Sequence, residues 1–145
     1  MLDIKKILSA TDFSEASKGA LDVAVSVARK YGAEIYLVNV VVAIPHLPAS
    51  STYQFDVLKY ENQLRTGAEK HLSALAEAVS GPKIHTILSQ GDAADGILRA
   101  AEENQVDLIA IATAGRSGLE RALFGSVAEK VVRRAKCPVL TVRQP

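Results

Sequence analysis

One cysteine, Cys137, stands in a chain of 145 residues, so no intrachain disulfide can form. Neither sign of charge dominates. Lysine and arginine number 17 against 16 acidic residues, a net charge of +1, which advertises no nucleic acid, anionic membrane or acidic partner. Every apolar run is broken by charge, proline or glycine before the roughly 18 residues that a membrane span requires. The opening "MLDIKKILSATDF" has neither the length nor the flanks of a signal peptide. These absences lead to the expectation of a soluble protein of the reducing cytoplasm. Catalytic signatures are missing too. No Walker lysine follows a glycine loop, and neither G-x-G-x-x-G nor G-x-S-x-G occurs, which excludes standard ATPase and hydrolase machinery. His46, His71 and His85 lack metal-ligand spacing, so no structural metal is expected. Cys137, before a proline at the start of a strand, reads as a buried inert thiol.

What is present is a regular alternation. Five apolar runs, "IKKILSA", "EIYLVNVVV", "KIHTILSQ", "VDLIAIAT" and "CPVLTVR", have the β-branched and aliphatic character of buried strands. Four helical patterns lie between them. The first runs from an N-cap at Ser14 to a stop at Gly32, with Leu21, Ala24, Val25 and Ala28 on one face. The second spans about Tyr53 to Val79, with Val57, Tyr60, Leu64, Ala68, Leu72, Leu75 and Val79 at three- and four-residue steps. The third opens at Asp92 as N-cap, with Ala94, Ile97, Leu98 and Ala101 inward; the fourth opens at Ser126, with Val127, Val131 and Ala135 inward. Nearly continuous apolar strands alternating with helices predict one α/β domain over residues 1–145: a doubly wound, Rossmann-like, five-stranded parallel sheet with four helices. "VAIPHLPASST", Val42 to Thr52, is the one long loop and a candidate lid.

In an open α/β sheet, ligands bind beyond the carboxyl ends of the strands. Asp12 follows the first strand there. The fourth is followed by "TAGRSGLERALFGSVAEK", with Gly115, Gly118 and Gly125 in thirteen residues. A phosphate needs bare backbone amides and a helix N-terminus, which Gly115, Gly118, Gly125 and Ser126 are placed to offer. Simpler roles compete. Ser126 and Glu129 form the S-x-x-E of a capping box, which predicts a side-chain cap on the fourth helix, and Asp12 suits a brace for the turn "TDFSE". "GRSG" also matches the loop of a KH module, but that loop joins two helices and this one follows a strand.

The arrangement resembles the universal stress protein family, whose ATP-binding members carry an N-terminal strand ending in aspartate and a late glycine motif, G-x2-G-x9-G-[ST]. Gly115, the nine residues "RSGLERALF", and Gly125 with Ser126 match the later part of that motif. Its first glycine is replaced by Ala112, and Ala114 stands where many members have histidine. "KKILSATDFSE", "GDAADGIL" and "GSVAEKVVRRAKCPVLTVR" extend the resemblance over nearly the whole chain. The resemblance implies ATP, with Mg2+, as a regulatory ligand in stress response. It places Asp12 on the ribose, Ala10 and Val40 around the adenine, and the glycine motif on the phosphates. The implied binding set is Ala10, Thr11, Asp12, Val40, Ala112, Gly115, Arg116, Gly118, Gly125, Ser126 and Val127. No catalytic residue is implied, and at most weak ATP hydrolysis or autophosphorylation. A methyl at Ala112 is compatible with binding only where that backbone is ordinary β or α. The alternative is a nucleotide-free interaction module of the same fold, which the missing glycine favours. A homodimer through the last strand is expected under either reading, because a bare apolar sheet edge must be paired or covered. Neither a nucleic-acid nor a membrane partner is expected.

Overall fold

The structure is a computed structural model that describes residues 2–42, 54–114 and 124–144. Five strands, β1 (Lys6–Ala10), β2 (Glu34–Val41), β3 (Ile84–Gln90), β4 (Leu108–Ala112) and β5 (Val139–Val142), alternate with four helices, α1 (Glu15–Tyr31), α2 (Gln54–Ala78), α3 (Ala93–Glu103) and α4 (Ser126–Arg134). All strand pairs are parallel, in the order β3-β2-β1-β4-β5. The expected α/β architecture is therefore observed. Register aligns Ile7 with Ile35 on one side and Leu108 on the other. Asp107 strengthens this central pairing, because its carboxylate accepts the Lys5 and Lys6 amides at 2.9 Å.

The apolar pattern explains this order. Ile7 and Leu8 are both fully buried although they point to opposite faces, as a central parallel strand requires. One face packs Leu21, Ala24, Val25 and Ala28 of α1 and Leu72 of α2 on Ile7, Ile35 and Leu37. The other packs Ile97, Leu98 and Ala101 of α3 and Ala128 and Val131 of α4 on Leu8, Val38 and Ile109. The edge strand β5 is half-buried throughout.

Helix ends follow the sequence in three cases. Ser14 caps α1 by accepting the Ser17 amide, Gly32 closes it at φ 68°, and Asp92 caps α3 by accepting the Asp95 amide at 3.0 Å. The long helix differs from expectation in its first half. Ala68 and Leu72 are buried, but Tyr60 and Leu64 are 55% and 37% exposed. Length is the reason. A 25-residue helix runs roughly 37 Å, whereas the seven-residue β3 runs roughly 23 Å, so α2 outruns the strand it packs on.

Among the described residues, no helix is long and apolar enough to cross a membrane. Of the candidate lid, Val42 is described and exposed; the rest lies outside the described residues.

Candidate functional site

The chain leaves β1 for α1 on one face of the sheet and leaves β4 for α4 on the other. Neighbouring strands whose connections part in this way open a crevice at their carboxyl ends. A cavity of about 360 Å3 lies there. The end of β1 contributes Ala10, Thr11 and Asp12, β2 contributes Val38, Asn39 and Val40, and β4 leads in through Ala112, Thr113 and Ala114. Gly125 to Ala128 close it from the start of α4, and Ala93 and Ile97 of α3 form another wall, with Ser17, Val42 and Ile111 also lining it. Of the expected set, Ala10, Thr11, Asp12, Val40, Ala112, Gly125, Ser126 and Val127 thus share one cavity. Gly115, Arg116 and Gly118 lie outside the described residues.

Hydrogen bonds fix the turn after β1. Thr11 donates its amide to Val38 at 2.9 Å, and its hydroxyl meets that of Ser17 at 3.1 Å and accepts the Phe13 amide at 3.0 Å. Asp12 Oδ1 accepts the Ser14 amide at 3.0 Å, the brace expected of an aspartate in this turn. Asp12 also lines the crevice, so bracing does not remove it from the site. Phe13 sits at φ 67°, in the left-handed region that costs a bulky L-residue roughly 1–2 kcal/mol.

The other side of the crevice is built from backbone. Ala112 is the last residue of β4, in register with Val142 and without positive φ, so its methyl is carried at no conformational cost. The Thr113 amide donates to Val142, and the Thr113 carbonyl accepts the Gly125 amide. A Cβ on Gly125 would lie 3.2 Å from that carbonyl, so this glycine permits a close backbone approach. The expected capping box does not form. Gly125 is itself the N-cap, no side chain among the described residues caps α4, and the Glu129 carboxylate instead accepts from Arg133 at 2.6 Å. Because the helix starts one residue earlier than the box requires, Ser126 occupies its first turn and lines the crevice.

Asn39 and Gly96 are among the residues shaping the site that the sequence did not single out. Asn39 is buried and donates from Nδ2 to the Thr11 carbonyl at 2.9 Å, tying the ends of β1 and β2 together. A polar residue inside the apolar run "LVNVVV" was the available signal. Gly96 of α3 lets that helix approach β2: a Cβ there would meet the Val40 methyls at 2.7 and 2.9 Å. Only tertiary packing reveals it.

Ionisable groups elsewhere are engaged in other ways. Burial, more than the nearby Asp107, pushes the Cys137 thiol up, which keeps it in the less reactive protonated form. His85 Nε2 lies 3.0 Å from Glu34, whose carboxyl that hydrogen bond holds below the usual range, and stacks on Tyr36. Among the described residues, no three His, Cys, Asp or Glu converge as metal ligands.

Comparison with known proteins supplies the remaining context. The chain is 41% identical over 145 residues to universal stress protein MJ0531 of Methanocaldococcus jannaschii, covering 97% of this chain and 83% of that protein. Among solved structures, the hypothetical protein MJ0577, whose biochemical function was assigned from its structure, superposes with a TM-score of 0.86 at 27% identity, covering 99% of this chain and 98% of that one. A universal stress protein solved in complex with cAMP gives a TM-score of 0.70 at 26% identity, with 97% of each chain covered. The profile of the universal stress protein family matches residues 3–143, and the chain belongs to that family.

Proposed function

We propose that this universal stress protein binds ATP, with Mg2+, as a regulatory ligand in the cytoplasm rather than as fuel. The observation that carries this reading is the crevice itself: apolar walls, Asp12 on one rim and, on the other, the N-terminus of α4 with glycine as its N-cap. The Ala10 backbone and Val40 frame an adenine, and Asp12 accepts from ribose hydroxyls. The amides of Ser126 and Val127 face phosphate, where the dipole of α4 favours negative charge. Gly115, Arg116 and Gly118 complete the phosphate side in this proposal. The ordinary strand backbone of Ala112 supports binding despite the missing glycine. The complex of a related universal stress protein with cAMP supports an adenine nucleotide as the ligand class. Among the described residues lining the crevice, Asp12 is the ionisable one, so ligand holding is favoured over hydrolysis. Mg2+ arrives on the phosphates, as is usual for a cation that retains its waters.

Heating freshly purified protein and identifying what it releases tests the reading, together with calorimetry on the natural protein and Ala112→Gly. A stoichiometric adenine nucleotide, or ATP binding that is equal or tighter in Ala112→Gly, supports it. Absence of binding to both proteins overturns it in favour of a nucleotide-free interaction module, the reading to which the exposed Leu58, Tyr60 and Leu64 of α2 lend support.

The homodimer proposal rests on β5, which pairs with β4 on one side and forms a sheet edge on the other. Light scattering at tens of micromolar tests it. A charge at Val139 or Val142 weakens the dimer more than one at Gln144, and a monomeric natural protein refutes it.

A further inference from the structure

We propose that Phe13 is a positioning residue of the crevice, fixing Asp12 through a contact with His71 on α2. Asp12 lines the crevice, while the ring of the next residue packs into the α1/α2 layer on the opposite face of the sheet. There it meets His71 edge-on, with centroids 4.8 Å apart and an interplanar angle of 65°. Phe13 does this at φ 67°, where glycine would be at ease and a bulky side chain is rare. Such an outlier persists only where its surroundings over-determine it. Here they do. The Phe13 amide is bonded to Thr11 Oγ1, the Ser14 amide is bonded to Asp12 Oδ1, and the ring is anchored on α2. Backbone preference gives no reason for phenylalanine at this position; anchoring does. A contact on α2, which packs on β2 and β3, is thereby coupled to the rim of the crevice on β1.

The affinity arm of the test rests on the nucleotide reading above; the exchange arm does not. Calorimetry with Mg-ATP and its 2′-deoxy analogue is performed on the natural protein, Phe13→Gly, Phe13→Tyr and His71→Ala. Loss of one well-aimed carboxylate contact predicts about a tenfold fall in ATP affinity for Phe13→Gly. It also predicts a reduced preference for the ribose over the deoxyribose form, a smaller fall for His71→Ala, and natural behaviour for Phe13→Tyr. In the ligand-free proteins, the Ser14 amide exchanges faster in Phe13→Gly and His71→Ala, while that of Ala24, inside α1, does not. Natural affinity and natural ribose preference in Phe13→Gly would overturn the proposal, as would unchanged Ser14 exchange in both variants. If the natural protein binds neither nucleotide, the nucleotide reading fails and Ser14 exchange alone decides the positioning role. If Phe13→Gly does not fold, His71→Ala decides it, because His71 is exposed and its removal leaves no cavity.

Discussion

Between Thr11 and Ser17, the turn that follows β1 uses its own side chains to accept the Phe13, Ser14 and Ser17 amides, whereas the start of α4, which faces it across the crevice, has no side-chain cap among the described residues. Both are strand-to-helix transitions at the same end of one sheet. The first forms complete within the protein. Under the proposed function, the second holds amides in place for a ligand. Stability in the first turn is therefore expected to depend on side chains, and in the second on ligand.

The largest effect that would sharpen this contrast is the ligand's own. Mg-ATP at about 100 times its dissociation constant raises unfolding free energy by roughly 2.7 kcal/mol, read as a shift of the urea midpoint; no shift would remove the distinction. Next is Asn39→Leu, which deprives the Thr11 carbonyl of its buried donor. The expected cost is about 1–3 kcal/mol without any ligand, and an unchanged denaturation midpoint would show that the first turn does not depend on this tie. A smaller effect compares two helix starts. Asp92→Ala removes a side-chain cap and costs about 1 kcal/mol. Ser126→Ala removes none and changes ligand-free stability by less than about 0.5 kcal/mol, while reducing the ATP-induced shift. Equal losses in the ligand-free proteins would mean that Ser126 caps α4 after all.

The smallest effect concerns Glu34 and His85, at the opposite end of the sheet. Because the hydrogen bond from His85 lowers the Glu34 carboxyl below its usual 4.5, the contribution of this exposed pair is present above that value and lost as pH falls through the lowered one. His85→Gln should flatten the acid side of the stability profile slightly, with no change in ATP binding. A steeper acid limb would reverse the assigned sign.

The fold was legible because strand and helix patterns are repetitive and each is locally complete: the runs around Ile7, Ile35 and Ile109 read as buried strands, and buried strands they are. Asp12 and Ser126 could be placed near one cavity because topology alone brings strand ends and a helix start together, whereas Val40 entered through the family resemblance. The capping box misled because S-x-x-E is a local pattern, and the Gly125 to Thr113 hydrogen bond shifts the helix start by one residue. Tyr60 and Leu64 misled because periodicity reports which face is apolar, not how far the neighbouring strand extends. Gly96 and the left-handed backbone of Phe13 acquire their meaning from residues distant in the chain, and no local pattern reports them; Asn39 showed only as a polar residue in an apolar run.

The central place of β1 has a consequence for how this chain is made. Its pairing with β2 needs a segment that follows closely, but the partner on its other side begins at Leu108, about a hundred residues after Ile7. At the usual elongation rate of about 5–20 residues per second, that partner emerges roughly 5–20 s later. Through that interval Leu8 and Ala10 await the neighbours that will bury them, and half of the crevice does not exist. The crevice therefore plays no part in the early stages of folding; only a nearly finished chain can form it.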